Sequence, residues 1–296
     1  MIKLTRVCIP LGLDCNFRCR YCYRDFCRKQ LPSKLSNCMK EYLQQLTPDI
    51  TESVCMSGGE PLIYWNTIQE IYKYIPQDIH LKIMTNGSLL TKEIVDFANR
   101  TNSEIFVSHD GECTKFLRGV DIFENQDKLK LIRSIKNLVV NSVITNKNTD
   151  IVKNYLYIRD KLQREDFVYR FVNLMDTGYV DDLIKDFDYN TFTRSYYEYC
   201  YKYKIEVPYY NRLSRDRKYN NGGFNLDLDG NVIGMNTLNK YGTIYNTYEE
   251  CYLKMLEVEN LYCSKVNCPL LYNCQTVKQG ASKHTCRCVK IEMGVL

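Results

Sequence analysis

The chain has 296 residues, 45% of them hydrophobic and 25% charged, with 40 Lys plus Arg against 35 Asp plus Glu for a formal charge of +5. That is enough apolar content for one large domain, or one with a small appendage, and the weak basic excess permits an acidic partner without requiring one. No stretch reaches the roughly 18 consecutive apolar residues of a membrane span, and residues 1–6 open on no signal peptide, so the expectation is a cytoplasmic protein with no membrane partner. Fifteen cysteines in such a chain fit metal binding better than a disulfide framework, which reducing thiol pools would not maintain.

Residues 4–11 alternate and stop at Pro10 and Gly12, which predicts a short strand delivering Cys15-Asn16-Phe17-Arg18-Cys19-Arg20-Tyr21-Cys22 at its C-terminal end. Apolar residues at three- and four-residue steps predict a helix over 34–46, stopped by Pro48. Strand and helix patterns then alternate: strands at 53–57, 79–85, 104–108, 138–145 and 167–174, helices at 62–75, 91–100, 121–136 and 149–162. Six strands, each followed by a helix or long connection, predict parallel βα units, as a barrel or a doubly wound sheet, with ligands at the strand C-terminal ends either way. After about residue 190 the rhythm changes to an aromatic-rich helix (192–203), a hairpin on Asp229-Gly230, a helix near 248–256 and a tail holding Cys263, Cys268, Cys274, Cys286 and Cys288. The expected domains are therefore 1–190 and 191–296.

The eight residues 15–22 put three thiols within one short loop. An iron–sulfur cubane normally takes four cysteine thiolates; three leave one iron open, and an open position separates a catalytic metal site from a closed structural one. The spacing i, i+4, i+7 also matches one buried helix face, but no apolar-periodic run continues from it. A second motif, Ser57-Gly58-Gly59-Glu60-Pro61, ends the second strand. Its glycines allow close backbone approach, Glu60 offers an acceptor for a cation, and Pro61 suits a first helical turn. The third and fourth strands end in Thr85-Asn86-Gly87 and Ser108-His109-Asp110-Gly111. Hydroxyl and acidic groups there suit ribose hydroxyls, although Asn-Gly and Asp-Gly are also ordinary turn formers.

On the C-x3-C-x2-C spacing with Tyr21 before the last cysteine, and on Gly58–Pro61, the chain resembles the radical S-adenosylmethionine (SAM) enzymes. The resemblance implies a partial (β/α)6 TIM-like barrel with a [4Fe-4S] cluster on Cys15, Cys19 and Cys22, reductively cleaving SAM to a 5′-deoxyadenosyl radical. It assigns SAM binding to Tyr21, Gly58, Gly59, Glu60, Pro61, Ser108 and Asp110, and the SAM carboxylate to Arg118, which could equally be a solvated surface arginine. His109 departs from the apolar residue many members carry there, and no role follows for it.

The hairpin and Cys263, Cys268, Cys274 and Cys286 resemble the cysteine-rich extension called SPASM, or twitch in its shorter form, with Met235, Lys265 and Lys278 where cysteines are expected. It implies an auxiliary [4Fe-4S] cluster on those four cysteines, with zinc as the alternative. By the same resemblance the substrate is a peptide or protein, modified by epimerisation, thioether or carbon–carbon crosslinking, and the electron donor is flavodoxin or ferredoxin. The rivals are a nucleotide, nucleic acid or glycyl-radical enzyme as substrate, and a non-enzymatic Zn or Fe–S protein; nucleic acid is not the expected partner, and 209–218 is the only candidate for the basic stripe that would favour it. No leader-binding module is visible ahead of the first strand. Cys8, Cys55, Cys113, Cys200 and Cys251 read as packing residues.

Overall fold

A computed structural model describes residues 1–22, 30–173, 181–203, 224–234 and 238–259. Six strands, β1 (Arg6–Pro10), β2 (Ser53–Ser57), β3 (His80–Thr85), β4 (Glu104–Ser108), β5 (Leu138–Ile144) and β6 (Val168–Asn173), form one sheet in strict chain order. The pairs β1–β2, β3–β4, β4–β5 and β5–β6 are all parallel. A doubly wound sheet reverses its strand order at a switch point. This one never does, and that order is the one a partial (β/α)6 barrel requires.

The chain divides into two compact units. Among the described residues, one comprises 1–14, 30–81, 224–234 and 238–259. In it β1 pairs with β2, Val7 against Val54 and Ile9 against Met56, all four buried. Ser36 caps helix α1 (Asn37–Gln44) by accepting from the Met39 amide, and Pro61–Tyr64 form a 3-10 turn ahead of α2 (Trp65–Tyr72). The expected hairpin is present: β7 (Phe224–Leu226) and β8 (Asn231–Gly234) join through Asp229-Gly230, with Gly230 at φ +79°. Asp227 holds that turn by accepting from the Asp229 and Asn231 amides at 3.0 and 2.9 Å. A third strand, β9 (Lys240–Thr243), which the sequence pattern did not announce, extends the antiparallel sheet. This small sheet is tied to the first strand segment by Ile2 N–H donating to the Ile244 carbonyl at 2.7 Å.

The other unit comprises 15–22, 82–173 and 181–203. Its helices are α3 (Lys92–Arg100), α4 (Thr114–Arg118), α5 (Gln126–Arg133), α6 (Ile151–Leu162), α7 (Asp181–Ile184) and α8 (Tyr189–Lys202). Side-chain N-caps set where these begin: Thr91 for α3, Asn125 for α5, Asp150 for α6 and Asp188 for α8. The single helix expected over 121–136 is interrupted because Asp121 and Asn125 each cap a separate start. The alternation of β5 and β6 buries one face under α6 and α8: Tyr169 meets the Tyr199 ring at 5.7 Å, and Phe171 meets Tyr196 at 5.5 Å. Cys55, Cys200 and Cys251 are buried as expected, and Cys8 and Cys113 are half-buried. In the last helix, α9 (Tyr248–Glu259), Tyr252 is fully buried. No helix among the described residues is long and apolar enough to cross a membrane.

Candidate active site

The cysteine loop is fastened at both ends to strand termini. Asn16 donates to the Ser88 hydroxyl at 2.8 Å, and its carbonyl accepts from the Asn86 amide at 2.9 Å; the same Asn86 amide lies 3.8 Å from the Cys15 sulfur. Asn86 is 7% exposed, and its own carbonyl accepts from the Ser88 amide at 2.9 Å. The pair of asparagines thus does more than turn the chain at Asn86-Gly87. It places a donor on the first thiol.

At the other end, Arg20 N–H donates to the Leu117 carbonyl at 2.8 Å and the Arg20 guanidinium sits 4.0 Å over the Phe116 ring. Tyr21 is buried against Leu117 and Leu183, with Cys19 packed on the same cluster. The Tyr21 hydroxyl donates to Asp110 at 2.6 Å. Asp110, fully buried, also takes a bidentate pair from Arg118 at 2.7 and 3.1 Å and the Val143 amide at 2.8 Å. Arg118 is 6% exposed, which replaces the solvated-arginine alternative by a buried ion pair. Burial opposes its charge, but Asp110 outweighs burial and holds the guanidinium protonated, above its ordinary pKa. Burial is also the main reason the Cys19 thiol is pushed up to about 11; Arg118 opposes the shift, and Cys22, Asp110 and Cys15 reinforce it.

Those mutual effects place the three thiols near one another, yet among the described residues no three His, Cys, Asp or Glu side chains converge on a single ion. A cubane asks for no such convergence, because its cysteines each take a different iron. The donor chemistry fits as well: three soft thiolates and one position left open.

The Gly58–Pro61 turn belongs to the other unit, where it lies against residues 12–14. Gly59 N–H donates to the Gly12 carbonyl and Glu60 N–H to the Asp14 carbonyl, both at 2.7 Å. Gly58 has φ +129°, and a Cβ on Gly59 would lie 1.9 Å from the Asp14 carbonyl oxygen. The glycines therefore admit the chain's own backbone. Glu60 is fully buried, caps the 3-10 turn by accepting from the Leu62 amide at 3.1 Å, and precedes Pro61 at the first position. Tyr64 adds a hydroxyl bond to Asp14 at 2.5 Å.

On β4 the alternation separates neighbours. Ser108 is half-buried on the face away from α6 and α8, and among the described residues its hydroxyl has no hydrogen-bond partner. His109 is fully buried on the opposite side. Its Nδ1 accepts from the Gly111 amide at 3.2 Å, so the ring proton is on Nε2, 3.0 Å from Asp121 Oδ1. Burial lowers its pKa despite Asp121, and the ring stacks on Phe123 at 3.9 Å between centroids. His109 is a neutral structural residue that shapes the turn carrying Asp110. The sequence held no signal for this, nor for the Asn16–Asn86 bond. Cys263, Cys268, Cys274 and Cys286 lie outside the described residues.

The parallel βα sheet thus carries the three-thiol loop directly after its first strand. Residues 9–146 match the Radical SAM superfamily, a family of enzymes whose cofactors are a [4Fe-4S] cluster and SAM. Among curated proteins it is 24% identical over 178 residues to the radical SAM cyclopropyl synthase TigE of Paramaledivibacter caminithermalis, covering 51% of this chain and 38% of TigE. It is 26% identical over 187 residues to the GTP 3′,8-cyclase of Haemophilus influenzae, covering 59% of this chain and 54% of the cyclase. The chain thus spans about half, or less, of the length of these relatives. Among solved structures it resembles anSMEcpe with bound AdoMet and Cp18Cys peptide, with TM-score 0.63 and 20% identity, over 91% of this chain and 87% of that one.

Proposed function

We propose that Cys15, Cys19 and Cys22 hold a [4Fe-4S] cluster with SAM at its open iron, and that the protein acts on a peptide or a protein side chain. When bound, the cluster supplies one low-potential electron and SAM the carbon radical that removes a hydrogen atom from the substrate. The chain's part is to hold and orient. Asn86 donates toward Cys15, and Tyr21, pinned by Asp110, fixes the segment between Cys19 and Cys22. Glu60 meets the SAM ammonium from the turn shaped by Gly58, Gly59 and Pro61. Ser108 offers its hydroxyl to the ribose, and Arg118 is the cation next to which the SAM carboxylate is placed. The electron comes from a flavodoxin- or ferredoxin-type donor. Cys263, Cys268, Cys274 and Cys286 are proposed for an auxiliary [4Fe-4S] cluster or a zinc ion.

The observation that carries this reading is the three-thiol loop braced at Asn86 and Asp110 within a radical SAM domain. The peptide class is supported by the peptide bound to anSMEcpe. The GTP 3′,8-cyclase relatives support a second reading, a nucleoside triphosphate. Iron and sulfide are measured, with zinc, on anaerobically reconstituted native protein and a Cys15/Cys19/Cys22 triple alanine variant, followed by a SAM cleavage assay. Roughly eight irons falling to about four means a radical cluster plus an auxiliary one. Roughly four falling to none makes the tail free of iron, and no iron with no cleavage sinks the proposal. Saturable GTP binding by the reconstituted protein would favour the nucleotide reading.

A further inference from the structure

The cysteine loop turns alternate residues outward: Phe17 and Tyr21 are buried, whereas Asn16, Arg18 and Arg20 are exposed. Both guanidinia are held by groups that leave their charge unanswered. Arg18 donates to the Cys15 and Phe17 carbonyls at 3.0 and 3.2 Å, and Arg20 lies 4.0 Å over the Phe116 ring. Among the described residues neither forms an ion pair, although the cations of α4 do: Lys115 is bonded to Glu124 at 2.9 Å and Arg118 to Asp110 at 2.7 Å. Helix α4 stands beside the loop, joined to it by the Arg20 amide on the Leu117 carbonyl. It turns fully buried Leu117 toward the apolar group on which Cys19 packs, and Phe116 toward solvent. Phe116 is 45% exposed, and Val120, just past the Gly119 cap, is 46% exposed.

Exposed apolar side chains beside unanswered arginines have the composition of an interface. The position of the patch names its partner. Arg18 and Arg20 flank Cys19 in the chain, and Phe116 is next to the leucine that Cys19 packs near. We propose that Arg18, Arg20, Phe116 and Val120 form the docking surface for the electron donor, and that the donor is a flavodoxin-type protein: small, acidic and presenting the apolar edge of a reduced flavin. Its carboxylates answer Arg18 and Arg20, which steers the approach and fixes the register. Its flavin edge packs on Phe116 and Val120 as one aromatic packs on another, a contact that a ferredoxin, whose cluster is wrapped in its own cysteines, does not offer. Electron-transfer encounters are small and weak, so four side chains suffice for the centre of this one. One electron leaves the reduced flavin and reduces the cluster on Cys15, Cys19 and Cys22 by one electron, with no bond made or broken. This inference rests on the radical SAM reading above and adds where the electron enters: at the cysteine loop itself, not through the auxiliary cysteines.

The test is equilibrium binding of oxidised flavodoxin to anaerobically reconstituted protein, measured by calorimetry at two salt concentrations, which reads docking without turnover. Binding is expected to weaken at the higher salt, since the charges that meet are exposed. Arg18→Gln and Arg20→Gln are each expected to weaken it roughly three-fold, Arg20→Lys less than Arg20→Gln, and Val120→Glu roughly ten-fold by setting a like charge against the donor. Val120→Glu decides where an arginine variant loses iron: in it, SAM cleavage driven by dithionite, which needs no docking, is expected to survive while cleavage driven by reduced flavodoxin is lost. No binding, binding unchanged by salt and by every variant, or a ferredoxin that binds more tightly than flavodoxin overturns the proposal. A native dimer that Val120→Glu dissociates also overturns it, giving the patch to a second copy. Iron content and dithionite-driven cleavage by the native protein separate the two readings; their absence refutes the radical SAM site, whereas their presence without flavodoxin binding refutes only the docking surface.

Discussion

Replacing Arg118 by leucine leaves the fully buried Asp110 carboxylate without its cation. Breaking a buried pair by removing one partner costs about 3–5 kcal/mol. The Tyr21 hydroxyl at 2.6 Å and the Val143 amide at 2.8 Å still reach Asp110, so Arg118→Leu belongs at the lower end, about 3 kcal/mol. Asp110→Ala strips the acceptor from three donors at once and leaves Arg118 buried without an anion, which puts it near 5 kcal/mol. The double variant removes both charges, so its cost is expected to fall short of the sum by about 2 kcal/mol or more. Urea unfolding of the four proteins, followed by circular dichroism, measures the cycle. Additivity within about 0.5 kcal/mol would refute the argument that the pair is desolvated and mutually dependent. The iron retained after reconstitution adds a functional readout: Asp110→Ala, which releases Tyr21, is expected to lose more iron than Arg118→Leu.

Gly59→Ala drives a methyl group into the Asp14 carbonyl and is expected to cost far more than Gly119→Ala, whose Cβ meets nothing within 4 Å although φ is +81° and which should cost about 1 kcal/mol; thermal melts of both check this. Asn86→Ala removes the donor beside Cys15. An N–H toward a cluster sulfur favours the reduced state, so the cluster potential is expected to become more negative in an EPR-monitored titration, with iron retained. His109, facing Asp121, Tyr157, Thr114, Asp110 and Arg118, is held below its ordinary 6.5 by burial. Below about pH 6.5 the unfolded chain binds a proton that the folded chain refuses, so stability is full above that pH and falls as pH drops toward the folded value. Asp121 is itself held below 3.8 by His109, against partial burial, and extends the loss to lower pH. Melting temperature is expected to fall more between pH 7.5 and 5.5 for the native protein than for His109→Gln.

Periodicity made the six strands and most helices legible, because each strand is short and ends on a Gly, Pro or Asn turn. It did not separate a barrel from a doubly wound sheet. That distinction lies in strand order, a property of long-range pairing that no local pattern carries. The three thiols were legible for a different reason: their chemistry demands a fixed residue type at a fixed spacing. Their supports were not. Asn86 lies 71 residues beyond Cys15 and Asp110 lies 89 beyond Tyr21, and nothing in the intervening sequence marks such polar pairs.

Ser108, His109 and Asp110 show where local reading stops. All three were visible as polar residues at one strand end, with the cofactor offered to Ser108 and Asp110 and no role to His109. The pleat decides among them, since consecutive side chains leave a strand on opposite faces. Ser108 falls on the face away from the helices with its hydroxyl unpartnered among the described residues, whereas His109 falls beneath Phe123 and Tyr157 and closes its bonds with Gly111 and Asp121. One residue later the turn begins, and Asp110 meets Tyr21 and Arg118. The same alternation, carried by register through Asn141 to Arg170, puts residues of three strands on the face of Ser108. A single parity, fixed by burying Tyr169 and Phe171 under α8, thus decides which polar residues of three strands share one face.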